Sequence, residues 1–400
     1  MLPVARGARA FLVGMPRGNV RLKIERASSS VGERTGHPIA KPVPPTRTGK
    51  QLVSTPMLSD YWHLSKGHLS LWVSLSALPG YFASGVIAGP AVLPALLVGT
   101  FLSSASSQAL NQMIESDRDA TMDRTKNRPV PTGRISKEKA KIFGFSSAIA
   151  GSAILTIGTG SIAPACIALS TIGIYVGIYT PMKQKSAYNT HVGAIAGSLP
   201  VIMGYAATGG FPVLVSTPDP AVLLAIQTLW QFPHFYPLAW IYRADYCKGG
   251  YVMFPLSDVS GHATARMCGP YMAALAVLPF VSSGLGVTTW MFPVSASIAN
   301  LIWTKQWFDF YSKPSKKNAK LFFFGSLWYL LTVLGLFVLH NRTAAESRGS
   351  VQDRIRTYMS SICLHKSVAI NDQFCPIPRD AGPARGTNPD EKDRSSSSPS

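Results

Sequence analysis

Three oxygen-bearing side chains, Asn111, Glu115 and Asp119, recur at intervals of four residues. In a helix each step of four drifts only about 40° around the axis, so the amide and the two carboxylates line one face. Cations stand beside and just after them: Arg118, Arg124, Lys126 and Arg128. Hard oxygen ligands suit Mg²⁺, which keeps several waters and binds through one or two carboxylates together with substrate phosphates. Guanidinium forks and ammonium groups are what a diphosphate needs, both to be held and to depart as an anion. Carboxylates, a metal and cations packed together imply phosphate chemistry, with Asn111, Glu115 and Asp119 as the expected Mg²⁺ ligands. The spacing alone is equally compatible with a plainer arrangement, in which Glu115 and Asp119 are surface residues of a loop and the basic run is a topology signal.

The elements that must position these residues are membrane spans. Of 400 residues, 46% are hydrophobic and only 14% charged, against about 25% charged in ordinary soluble domains. Mean hydropathy is positive, at +0.16. The formal net charge of +19 would suit nucleic acid, but a nucleic-acid binder gathers its cations on one patch, whereas here Lys and Arg punctuate apolar runs. Apolar segments close to the ~20 residues of a bilayer-crossing helix cover residues 69–88, 91–110, 142–157, 162–179, 191–206, 221–242, 271–288, 292–308 and 321–340. They predict an all-α, polytopic bundle of about nine transmembrane helices. Pro164, Pro200, Pro233 and Pro279 fall inside spans and predict kinks, tolerated where neighbouring groups re-satisfy the freed carbonyls.

Charge supports the same count. The connections after the second, fourth, sixth and eighth segments carry cations, among them Arg134, Lys183, Lys185, Arg243, Lys248, Arg266 and Lys313, and the other four connections carry none. That alternation is what the positive-inside rule predicts for nine helices with the N-terminus on the positive side. Residues 1–60 are Arg-rich, Ser-rich and poor in acids, in keeping with a mitochondrial transit peptide and a disordered N-terminal segment; a disordered cytosolic tail is the alternative. On the transit-peptide reading the positive side is the matrix of the inner membrane. Residues 61–340 form the transmembrane domain, and residues 341–400, polar and ending in a Ser-rich run, read as a disordered tail. Cys166, Cys247, Cys268, Cys363 and Cys375 have neither metal-ligand spacing nor a disulfide framework and receive no chemical role.

The run Asn-x-x-x-Glu-x-x-x-Asp-x-x-Met-x-Arg-Thr-x-x-Arg-Pro over 111–129 resembles the first signature of the UbiA superfamily of intramembrane prenyltransferases, and its Arg-Thr-Lys-Asn-Arg-Pro segment resembles the protoheme IX farnesyltransferase (haem O synthase) branch. Three further stretches resemble that branch. They are Tyr179-Thr180-Pro181-Met182-Lys183 with Asn189-Thr190 and Val192-Gly193-Ala194; Trp230-Gln231-Phe232-Pro233-His234-Phe235 with Arg243, Asp245-Tyr246 and Gly249-Gly250-Tyr251; and Phe322-Phe323 with Ser326-Leu327-Trp328. The similarity runs from about Leu64 to His340. Gln184 stands where the family usually has Arg, and Lys185 is the next cation. The second aspartate-rich motif of the superfamily is reduced to Asp245 and its neighbours.

The resemblance implies transfer of farnesyl from farnesyl diphosphate to a vinyl group of haem B, giving haem O, by Mg²⁺-assisted ionisation followed by attack on the allylic cation. Haem B is then a substrate rather than a cofactor, and haem A synthase downstream is an implied partner. Asn111, Glu115, Asp119, Arg124, Arg128 and Lys183 are the implied catalytic residues. Arg118, Lys126, Tyr179, Lys185, Asn189, His191, His234, Arg243, Asp245 and Lys248 are the implied substrate contacts, with Asp245 a further metal ligand. Aromatic faces able to stabilise the cation are Trp72, Tyr175, Tyr179, Phe235 and Trp240, although aromatics on spans more often pack or anchor. The loops 116–141, 182–188 and 245–267 are the expected lids. An aromatic quinone precursor is the alternative acceptor; a polytopic transporter is the remote alternative, and no repeat of two halves supports it.

Overall fold

A computed structural model describes residues 57–86 and 88–346, so the expected leader up to residue 56 and the tail from residue 347 lie outside the described residues. Among the described residues the chain is almost wholly helical, with one isolated antiparallel bridge, Thr288 to Asn341. Three short helices, α1 (Leu58–Leu64), α2 (Gly67–Leu75) and α3 (Leu78–Ala83), lead into α4 (Val92–Asp119) and α5 (Lys137–Thr159). Next comes α6 (Ala163–Ile172), which continues without a break as a π-helix over Gly173–Tyr179 and then as Thr180–Met182. The chain goes on through α7 (Asn189–Gly209), α8 (Val213–Ser216), α9 (Asp219–Ile241), α10 (Arg243–Lys248), α11 (His262–Gly284), α12 (Met291–Ser312) and α13 (Lys316–His340).

Among the described residues six helices are long and apolar enough to cross a membrane: α4, α5, α6 with its continuation to Met182, α7, α11 and α13. The three other expected spans are helical but differ. Residues 69–88 form two short helices, because Pro79 has no N–H with which to continue the ladder of α2. In α9, Gln227, Gln231 and His234 dilute the apolar run, and in α12 the Lys305–Asp309 pair (3.0 Å) does the same. Several helices also outrun their apolar stretches, since polar turns at their ends keep helical hydrogen bonds: α5 begins at Lys137, capped by Ser136, whose hydroxyl accepts from the Lys139 N–H.

Lipid-facing and buried faces are both apolar, so hydropathy alone does not tell them apart. Ile142, Phe145 and Ile149 of α5, and Ile298, Leu301 and Ile302 of α12, face outward. On the inner face of α5, Gly144, Gly151 and Gly158 fall every seventh residue, and a Cβ at Gly151 would stand 2.9 Å from the Gly99 carbonyl of α4. Small residues let backbones meet where no hydrophobic effect drives association. The other side of the bundle is an aromatic core from α7, α9, α11, α12 and α13, including Trp230, Tyr236, Trp303, Phe310 and Phe322. Leu64, the last residue of α1, is buried, and Asn341, just after α13, is buried and donates to Asp219 at 2.6 Å.

Candidate active site

The C-terminal third of α4 faces a cavity of about 150 Å³ rather than lipid. Asn111, Glu115 and Asp119 line it side by side, and each is at most 3% exposed. The four-residue spacing thus does place them on one face. Asn111 donates to Glu115 Oε2 at 2.9 Å and to Thr180 Oγ1 at 3.0 Å. Both Glu115 oxygens accept from Lys183 Nζ at 3.0 Å. Asp119 accepts from Arg128 Nη1 at 2.7 Å.

The opposite wall comes from the π-helical part of α6. Pro181 cannot donate to the Gly177 carbonyl, and the helix widens into π geometry just before it. That turn brings Tyr175 and Tyr179 into the cavity, with ring centroids 5.1 Å apart, and Lys183 Nζ lies 4.7 Å over the Tyr179 ring. Met122, Arg124, Arg128, Phe235, Tyr246, Tyr251, Met253 and Lys66 complete the lining.

Lys66, from the α1–α2 junction, went unnoticed in the sequence. Its Nζ donates to Gln108 Oε1 at 2.7 Å, and it has positive φ (46°), unlike any other non-glycine among the described residues. Left-handed backbone at a non-glycine is strain of the kind that gathers at working sites. The only signal was a lone cation heading the first apolar run. Burial, with Arg128 and Lys183 nearby, holds the Lys66 ammonium well below the usual lysine range. Lys183 is pushed the other way: burial opposes its charge, but Tyr179 and Glu115 beside it outweigh that and raise it. Arg124, Arg128 and Lys183 alone outnumber the carboxylates Glu115 and Asp119, so the lining carries surplus positive charge before Lys66 is counted.

The other sequence-predicted residues do not line the cavity. Arg118 donates to the Gly249 carbonyl and to Gln184. Asp245 accepts from the Arg124 amide N–H at 3.2 Å, and Lys248 lies 3.9 Å from Asp245. Lys126 and Lys248 both pair with Asp123 at the exposed rim and hold its carboxyl down to about 2. Lys185 is exposed. Asn189 donates to the Ser186 and Val252 carbonyls. Arg243 sits over the Trp240 ring, and Trp240 itself donates to the Asp258 carbonyl. His191 packs against Tyr188 and Phe232; His234 is stacked between Trp230 and Phe323, with Nδ1 2.6 Å from Ser326 Oγ. Trp72 points outward, 56% exposed.

Among the described residues no three His, Cys, Asp or Glu side chains cluster as a metal cage. The donor set is instead two carboxylates and an amide on a cavity wall, which fits an ion that takes one or two carboxylates and completes its shell from substrate phosphate and water.

The sequence profile of the UbiA prenyltransferase family matches residues 70–328. A protoheme IX farnesyltransferase from Opitutus terrae is 35% identical over 287 residues, covering 72% of this chain and 96% of that one. The mitochondrial protoheme IX farnesyltransferase of Homo sapiens is 36% identical over 283 residues, covering 70% of this chain and 61% of the human one. In three dimensions the fold is similar to that of a UbiA homolog from Archaeoglobus fulgidus bound to GPP and Mg²⁺, with a TM-score of 0.52 at 17% identity over 70% of this chain and 99% of that one. The chain belongs to the UbiA prenyltransferase family.

Proposed function

We propose that this prenyltransferase moves farnesyl from farnesyl diphosphate to a vinyl group of haem B, giving haem O, at the cavity beneath α4. The observation that carries the reading is two ion pairs, the buried Lys183–Glu115 and the partly buried Arg128–Asp119, in a cavity with surplus positive charge. Each holds a cation and an acid that a metal-bound diphosphate would separate: phosphate oxygens suit the cations, and a hard metal suits the acids.

Asn111, Glu115 and Asp119 are the residues that would hold Mg²⁺, and Asp245 lies close to Arg124 at the rim. When bound, Mg²⁺ neutralises charge that builds on the diphosphate as it leaves. Arg124, Arg128, Lys183 and Lys66 supply the same stabilisation from fixed positions, and donors already in place need no reorganisation as the bond breaks. The allylic cation at C1 then faces Tyr175 and Tyr179, whose rings attract a cation without attacking it; Lys183 already occupies the Tyr179 face in this way. Phe235 and Met253 offer apolar wall to the isoprenoid chain. The electron-rich vinyl carbon closes on C1, and the resulting cation takes up water, which loses a proton to leave a hydroxyl group. His191, on α7, is the side chain proposed to orient the acceptor, since His234 on α9 is held by Trp230, Phe323 and Ser326 in the seam with α13.

The names of the relatives support haem as acceptor and a mitochondrial membrane as the setting. The inner membrane with the cavity mouth at the matrix, a transit peptide within 1–60, the catalytic domain within 61–340 and haem A synthase as the next enzyme complete the proposal. Full-length protein in lipid, given farnesyl diphosphate and Mg²⁺, should convert haem B but not 4-hydroxybenzoate, with products read by mass spectrometry. Prenylated hydroxybenzoate with unchanged haem would overturn the choice of acceptor.

A further inference from the structure

One arginine ties together two loops that are distant in sequence. Arg118, in the last turn of α4, donates from one guanidinium nitrogen to the Gly249 carbonyl at 2.9 Å and from the other to Gln184 Oε1 at 2.7 Å. Gln184 directly follows Lys183. Gly249 opens the strap Gly249-Gly250-Tyr251-Val252-Met253, whose Tyr251 and Met253 are buried walls of the cavity. Two more hydrogen bonds fasten the strap to the same side: the Val252 N–H donates to the Lys183 carbonyl, and Asn189 Nδ2 donates to the Val252 carbonyl, each at 2.7 Å. Gly250 has φ +67°, and a Cβ there would stand 3.0 Å from Arg118 Nη1, so the close approach of strap and guanidinium needs glycine.

The Arg118–Gln184 contact is chemically one-directional. A guanidinium has five donors and no acceptor, so its partner must provide an oxygen. Glutamine does so, whereas an arginine at 184 would set one cation against another. Neither Arg118 nor Gln184 lines the cavity. The departure from the family pattern at 184 therefore answers Arg118 and not the diphosphate.

We infer that Arg118 and Gln184 are positioning residues: they form a latch that holds the strap over the cavity and governs how much water reaches the reacting carbon. This rests on the prenyl-transfer reading. In that reaction the allylic cation has two fates. Its C1 either bonds to the acceptor carbon, or takes up water, which loses a proton and leaves farnesol beside the diphosphate. A closed strap favours the first by excluding water. With the latch opened, diphosphate still ionises on unaltered cations, but a larger share of the farnesyl is lost as alcohol.

The test uses full-length protein in lipid nanodiscs with farnesyl diphosphate, Mg²⁺ and haem B, and two readouts: the ratio of farnesol to farnesylated haem, and hydrogen exchange at the Val252 amide, which needs no turnover. Gln184→Arg should raise both on the order of tenfold, the scale of one charge-assisted hydrogen bond. Adding Arg118→Glu to Gln184→Arg rebuilds the contact with the roles exchanged and should return both towards wild type. Unchanged ratio and exchange in Gln184→Arg, or a double variant no better than the single one, would overturn the latch. If the wild-type protein makes no farnesylated haem while Val252 exchange still follows the predicted order, the acceptor reading fails and the latch stands.

Discussion

The polar end of α4 and the aromatic seam between α9 and α13 treat their buried polar groups in opposite ways. In the seam, Trp230 Nε1 donates to the Ser326 carbonyl at 2.7 Å, and the His234 ring, stacked on Trp230 and Phe323, meets Ser326 Oγ. Those groups satisfy one another and fix two helices in register. At α4, Glu115 and Asp119 are satisfied just as fully, by Lys183, Asn111 and Arg128, yet all five line open space. The difference lies in what could replace each partner: nothing small enters the seam, whereas a metal and a diphosphate could exchange into the cavity. Buried polar groups alone do not mark a site. Buried ion pairs beside a cavity, with surplus charge of one sign, do.

The largest expected effect follows from breaking the exchangeable pairs. Asp119→Ala or Arg128→Ala should lower haem farnesylation by roughly a hundredfold or more, the scale of a lost charge-stabilising group, with membrane insertion intact; a near-normal rate in either variant would remove these residues from the site. Lys66→Ala tests a cation found only in three dimensions. It should raise the KM for farnesyl diphosphate about tenfold, as for a lost charged hydrogen bond, and an unchanged KM would return Lys66 to a purely structural role.

Smaller effects sharpen the other side of the comparison. Ser326→Ala leaves His234 Nδ1 without its partner and should cost about 1 kcal/mol, read as a lower midpoint of thermal unfolding in detergent; an unchanged midpoint would deny the seam its role as a fastener. Lys185→Ala should leave the donor KM as it was, because Lys185 is exposed and outside the cavity lining. A clear rise there would mean that the loop after α6 rearranges to bring Lys185 to the diphosphate.

Much of the cavity wall was legible because three of its polar side chains share one helix. A spacing of four fixes Asn111, Glu115 and Asp119 on one face whatever the rest of the chain does. Lys183 was legible through its Tyr-Thr-Pro-Met-Lys block. Tyr251 stood in its Gly-Gly-Tyr block but was given no role, and Lys66 and Met253 were not legible: one arrives from a turn between short helices and the other from a strap, and no periodicity reports where a loop will lie. Basic residues posed a different difficulty. Lys126 and Lys185 have the same composition signal as Arg128 and Lys183, but the former pair faces solvent and the latter the cavity. Charge predicted only that these loops share one side of a membrane; the fold chose which cations turn inward. In the same way hydropathy found the first apolar segment, while Pro79 decided that it forms two short helices.

The central claim is that the α4 cavity is where the prenyl diphosphate binds and ionises. A structure with Mg²⁺ and a farnesyl thiodiphosphate, whose carbon–sulfur bond resists ionisation, tests it most directly. The diphosphate should lie against Arg124, Arg128 and Lys183, with the metal on the Asn111, Glu115 and Asp119 face and both resting ion pairs opened. An analogue seated elsewhere, with Lys183–Glu115 and Arg128–Asp119 still closed, would contradict the account.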